Sequence, residues 1–113
     1  MLGGGINLTR APRNSRNFEY ISEDPLLSGM IGGAAIRGTQ DAGVIATAEH
    51  FALDSNENNR QLGTTIEEGA LRESDRLAFQ IAIETGGPGA IMYAYNWSTV
   101  PRPVATTSSS TMS

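Results

Sequence analysis

The 113-residue chain has no cysteine, which removes a disulfide framework, a thiolate metal site and a thiol nucleophile together and leaves the redox compartment open. Histidine occurs once, and no spacing of it against the carboxylates suggests a metal. Basic residues number eight against 12 acidic ones, with no block of them to neutralise a phosphate backbone or an anionic lipid surface. Nucleic acid and membrane are therefore not expected partners. No apolar run approaches the roughly 20 residues that span a bilayer. Met1-Leu2-Gly3-Gly4-Gly5 lacks the basic and long apolar parts of a secretory signal, so the chain as written reads as soluble and without an address. Those glycines also lack the G-x-G-x-x-G spacing and a preceding strand, which argues against a nucleotide loop. No cofactor is indicated.

What is present is an alternation of short apolar runs and amphipathic segments. Gly5-Ile6-Asn7-Leu8 reads as a short strand, and Ala11 to Asn17, with Pro, Arg and Asn, reads as a loop. From Asp24-Pro25 the residues Leu27, Met30, Ile31, Ala34, Ala35 and Gly38 recur at helical spacing, with Gly43 beyond the end. Acidic Glu23-Asp24 suits a capping role at that helix start. Val44 to Ala48 is nearly continuous apolar, as in a strand covered on both faces of a parallel sheet, with Glu49 and His50 at its carboxyl end.

Asp54 to Gly63 reads as a polar loop, and Thr65-Ile66-Glu67-Glu68 matches a capping box. The helix it opens carries Ile66, Ala70, Leu71, Leu77, Ala78 and Ile81 on one face and Glu67, Arg72, Glu73, Arg76 and Glu84 on the other, and ends at Gly86-Gly87-Pro88. Ala90 to Asn96 is the third strand. The βαβαβ order predicts an α/β fold with a parallel sheet, whose ligands bind outside the carboxyl ends of the strands. Pattern alone leaves a doubly wound sheet and a slice of a (β/α)8 barrel equally open.

Asn7-Leu8-Thr9-Arg10-Ala11-Pro12-Arg13-Asn14-Ser15-Arg16-Asn17-Phe18-Glu19, followed by Ser22-Glu23-Asp24-Pro25, stands beside the pattern N-L-x-R-D-P-R-x-G-R-x-x-E then S-E-D-P. Ala46 to Phe51 stands beside A-x-x-K-H-F, and Met92-Tyr93-Ala94-Tyr95-Asn96 beside M-x-S-Y-N; Glu57-Asn58-Asn59-Arg60 and Leu71-Arg72-Glu73 complete the set. In this order and spacing, over about residues 2 to 96, the chain resembles the N-terminal catalytic domain of family 3 glycoside hydrolases.

The resemblance implies a partial (β/α)8 TIM barrel over residues 1–96 and a retaining β-glucosidase type of chemistry. It places Arg16, Glu49, His50 and Tyr95 in the subsite for a glucose or β-glucoside ring, whose hydroxyls both donate and accept hydrogen bonds. Retaining hydrolysis needs two carboxyl groups about 5–5.5 Å apart. In the family, these lie on a later Ser-Asp-Trp-like strand and beyond the barrel, so no catalytic residue is expected in this chain and inactivity alone is expected.

Ala11, Ser15, Glu49 and Trp97 depart from the pattern, standing where the family usually has Asp, Gly, Lys and a Lys or small polar residue. Glu49 offers only acceptors where Lys offers donors, which predicts weakened sugar binding.

Residues 97–113 lack hydrophobic period and end in Ser and Thr, as expected of a disordered, irregular tail. The genetic code permits a DNA string for this stretch that, read two bases later, encodes V-N-G-A-P-A-C-R-N-D-F-L-L-N-D-V, the continuation shown by family 3 enzymes. A frame change near Trp97 is therefore expected. Outside the resemblance, His50 reads as a structural histidine, Arg16 as a solvated loop arginine and Tyr95 as an ordinary strand aromatic. A non-catalytic sugar-binding or interaction module and a non-functional fragment stand as alternative functions, and oligomeric state is not legible. Asn7-Leu8-Thr9 and Asn96-Trp97-Ser98 are formal glycosylation sequons, meaningful only on secretion.

Overall fold

The computed structural model describes residues 1, 5–53, 63–96 and 98–99. Helix α1 (Pro25–Asp41) starts where Asp24 Oδ2 accepts the Leu27 amide at 3.1 Å and Pro25 fills a first-turn position that needs no N–H. It closes through Gly43, whose φ of 82° belongs to the left-handed region and whose amide reaches the Gln40 carbonyl at 2.9 Å. Strand β1 (Thr47–Phe51), short strand β2 (Thr64–Thr65), helices α2 (Glu68–Glu73) and α3 (Asp75–Gly86), strand β3 (Ala90–Tyr93) and short strand β4 (Ser98–Thr99) follow. At the end of α3 Gly87 takes φ 60° and donates to the Ile83 carbonyl at 2.9 Å.

Strands β1 and β3 pair in parallel, as do β2 and β4, and Gly5 forms a single parallel bridge to Tyr20. Helices α1 and α3 pack against each other. The core joins Ile6, Leu8, Ile36, Ala46, Ala48, Ala78, Phe79 and Ala82. Phe79 is fully buried and meets Phe51 edge to face, with ring centroids 5.0 Å apart and planes at 84°.

The α/β class and the parallel pairing follow the sequence reading, but five details differ. The first strand is reduced to the Gly5 bridge. Val44 and Ile45 are exposed ahead of a strand that starts three residues later than expected, so the apolar run is not a strand covered on both faces. The Thr65 capping box does not form: the cap position of α2 is Glu67, with no side-chain capping bond.

The expected second helix is also broken at Ser74, with φ −120° and ψ −106°. Ser74 Oγ accepts from Arg10 Nη2 at 3.1 Å, and the break turns Asp75 inward, where its carboxylate accepts the Leu8 amide at 3.4 Å and pairs with Arg10. Tertiary demand from a buried carboxylate thus overrides helix continuity.

The face of α1 is the fifth difference. Leu27, Met30 and Ile31 are exposed, while Ser28, Gly29, Gly32, Gly33 and Ile36 are buried. A Cβ on Gly29 would lie 2.6 Å from Ile81 Cβ and 2.9 Å from the Ala78 carbonyl, so α3 approaches closely only because no side chain is there. The expected loop 54–63 lies outside the described residues except for Gly63, as does the expected tail except for the backbone pairing of Ser98–Thr99 with β2. Among the described residues, no helix is long and apolar enough to cross a membrane.

Candidate functional site

Pairing along β1 loses step at its carboxyl end. Ala48 pairs with Ile91 and Phe51 with Tyr93, so three steps on β1 face two on β3. The extra residue makes a bulge at Glu49–His50, and bulges re-aim side chains next to sites. His50 has φ 50° and Leu53 φ 66°, conformations that each cost a non-glycine residue about 1–3 kcal/mol unless the surroundings enforce them.

Two asparagines provide that enforcement. Asn7, fully buried, donates from Nδ2 to the His50 carbonyl at 2.9 Å and accepts the Leu53 amide on Oδ1 at 2.8 Å. From the other side, Asn96 Nδ2 reaches the Ala52 and Leu53 carbonyls at 3.4 and 3.2 Å. The His50–Leu53 turn is clamped between the segment that opens the chain and the residues following β3.

The loop bearing Arg16 is wound from consecutive turns, with amides of Asn14, Asn17, Glu19 and Tyr20 each bonded to the carbonyl three residues earlier. Asn17 Nδ2 ties it further to the Ala11 carbonyl at 2.7 Å. Arg16 is buried and donates through Nε to Glu19. The Gly5–Tyr20 bridge brings this loop beside the segment carrying Asn7.

Glu49 is half-buried in the bulge and His50 is buried. Tyr95 is exposed, and it joins the same end because the Ala94 amide donates to the Phe51 carbonyl at 3.0 Å. Glu49, His50 and Tyr95 thus fall at the carboxyl end of the parallel strands, while Arg16 lies on the loop that the Gly5–Tyr20 bridge joins to the segment carrying Asn7. Partial burial lowers the pKa of Arg10, yet an arginine stays charged at neutral pH and holds the Asp75 carboxylate. Among the described residues, no group of three or more His, Asp and Glu could hold a metal.

The glycosyl hydrolase family 3 N terminal domain matches residues 5–112. The chain belongs to glycoside hydrolase family 3. Thermostable beta-glucosidase B of Acetivibrio thermocellus is 41% identical over 97 residues, covering 85% of this chain and 13% of that protein. Beta-glucosidase A of Butyrivibrio fibrisolvens is 44% identical over 92 residues, covering 80% of this chain and 11% of that one. The structure of beta-glucosidase 3B from Thermotoga neapolitana in complex with glucose superposes with a TM-score of 0.84 at 39% identity, covering 88% of this chain and 14% of that chain. The chain therefore spans only a small part of the family 3 enzymes it matches, and its α/β fold is a piece of their TIM-barrel-like domain.

Sequence reasoning missed two residues at this family 3 strand end. Asn7 shows in the sequence as the start of the N-L-x-R motif and of a sequon, neither of which assigns it a role at the strand end; its burial, with both amide atoms bonded, closes that sequon to glycosylation in the folded chain. Asp75 was hidden inside an expected uninterrupted helix, and no local pattern distinguishes it from a surface acid.

Proposed function

We propose that the chain supplies part of the glucose-binding end of a β-glucosidase-type glycoside hydrolase, and that it does not hydrolyse glucosides by itself. The observation that carries this reading is the bulge at Glu49–His50, which sits at the strand ends and is held there by two asparagine side chains. Arg16, Glu49, His50 and Tyr95 are the proposed sugar-contacting groups. Charged groups contribute roughly 1.5–3 kcal/mol per hydrogen bond to a hydroxyl, so a ring held by several of them binds measurably. No residue of this chain is assigned as the nucleophile or the acid/base.

Two assays test the proposal. Titrating glucose into the purified chain should shift the imidazole proton signal of His50, the single histidine, in a saturable manner; no shift at high sugar concentration refutes the binding reading. Release of nitrophenol from an aryl β-glucoside above a mock preparation refutes the inactivity. Glu49→Lys should tighten glucose binding by restoring donors at that position, and an unchanged or weaker affinity overturns the role given to Glu49.

We further propose the frame change near Trp97. The family match running to residue 112 weighs against it. Sequencing the gene decides, because synonymous codons that spoil the shifted reading end the idea.

A further inference from the structure

We propose that Asn7 is a positioning residue for His50: its side-chain amide, rather than any side chain of β1 itself, fixes the backbone from which the imidazole projects. The inference rests on the sugar-binding reading only for its functional consequence; its structural part stands on the hydrogen bonds alone.

Asn7 is fully buried, so both its polar atoms need partners inside the protein. It finds both on one four-residue turn, the His50 carbonyl for Nδ2 and the Leu53 amide for Oδ1. These two residues are also the non-glycine residues with positive φ among the described residues. Asparagine is suited to the task because one planar group presents a donor and an acceptor side by side. A carboxylate offers only acceptors, and an aliphatic residue of similar size offers nothing. With the Asn7 bonds gone, the His50 carbonyl and the Leu53 amide each lose a partner in the interior. The turn then relaxes toward ordinary strand geometry, and the bulge that aims His50 is lost. Asn96 holds the Ala52 and Leu53 carbonyls, which are not the backbone groups that Asn7 holds.

The test compares the full chain with Asn7→Asp and Asn7→Ser, using the His50 imidazole resonances in the sugar-free protein, the glucose affinity and the melting temperature. Asn7→Asp keeps an acceptor for Leu53 but sets a carboxylate oxygen against the His50 carbonyl. The expected result is a displaced or broadened His50 signal in folded protein, with glucose affinity reduced roughly tenfold or more. Identical His50 signals in the wild-type and variant folded chains overturn the proposal, whatever happens to the melting temperature, because a merely structural role lowers stability without moving the imidazole.

Should Asn7→Asp fail to fold, the wild-type chain and Asn7→Ser decide. A Leu53 amide that exchanges with deuterium as fast as an open peptide overturns the proposal. A protected one, whose protection is lost together with the His50 signal in Asn7→Ser, supports it. If wild-type His50 ignores glucose while the Asn7 variants still displace its signal, the sugar-binding reading falls and the positioning role remains.

Discussion

Between α1 and α3, contact depends on side chains that are missing; at the end of β1, it depends on side chains that reach across to backbone. Gly29 leaves the room that Ile81 and Ala78 occupy. Asn7 instead exchanges hydrogen bonds with the turn from His50 to Leu53, and Asn96 donates to it. One region should therefore respond most to volume, and the other to hydrogen bonding. The helix layer makes the platform that carries the strand end.

Substitutions at four positions sharpen or break that contrast. Phe79→Ala should cost about 3–5 kcal/mol, the usual range for removing a buried aromatic ring, read as a lowered urea midpoint with an unchanged slope. A loss near zero would mean the Phe51–Phe79 contact is dispensable and the platform lies elsewhere. Gly29→Leu should cost about 3 kcal/mol by overpacking, since backbone as well as side chain stands in the way. A neutral result in thermal melts would show that α1 and α3 can separate freely.

At the strand end, Asp75→Ala should cost about 2 kcal/mol, because the buried Leu8 amide loses its acceptor and Arg10 its partner. The half-exposed position of Arg10 keeps the figure below that of a fully buried pair. If Asp75→Leu proves as stable as wild type in the same melt, polarity there is not needed and the contrast fails. Last comes Asp24→Ala, expected to remove about 1 kcal/mol by uncapping α1 without touching either region. A larger loss by circular dichroism would tie the cap to the Arg16 loop.

The first helix, the two paired strands and the strand-end position of His50 were legible because they follow from periodicity, turn residues and motif order. The face of α1 was not. Leu27, Met30 and Ile31 give a convincing apolar stripe, yet burial went to Ser28, Gly29, Gly32 and Gly33, which a hydrophobicity pattern scores as blank. Close packing selects for smallness, and smallness carries no periodic apolar signal. The bulge at Glu49–His50 was invisible for a different reason: it arises from pairing with β3, some 40 residues away, and from Asn7. Asp75 broke a helix that local propensity would have continued.

The bonds of Asn7 join positions 43 and 46 residues apart. Closing so long a loop carries an entropy cost that two hydrogen bonds cannot meet early, so the turn gains its shape only after α1 has docked and brought the ends together. The bulge is thus expected among the last features to form and the first to open. Native-state hydrogen exchange should find the Leu53 amide opening at lower free energy than the amides of α3, and equal opening energies would place both in one cooperative unit.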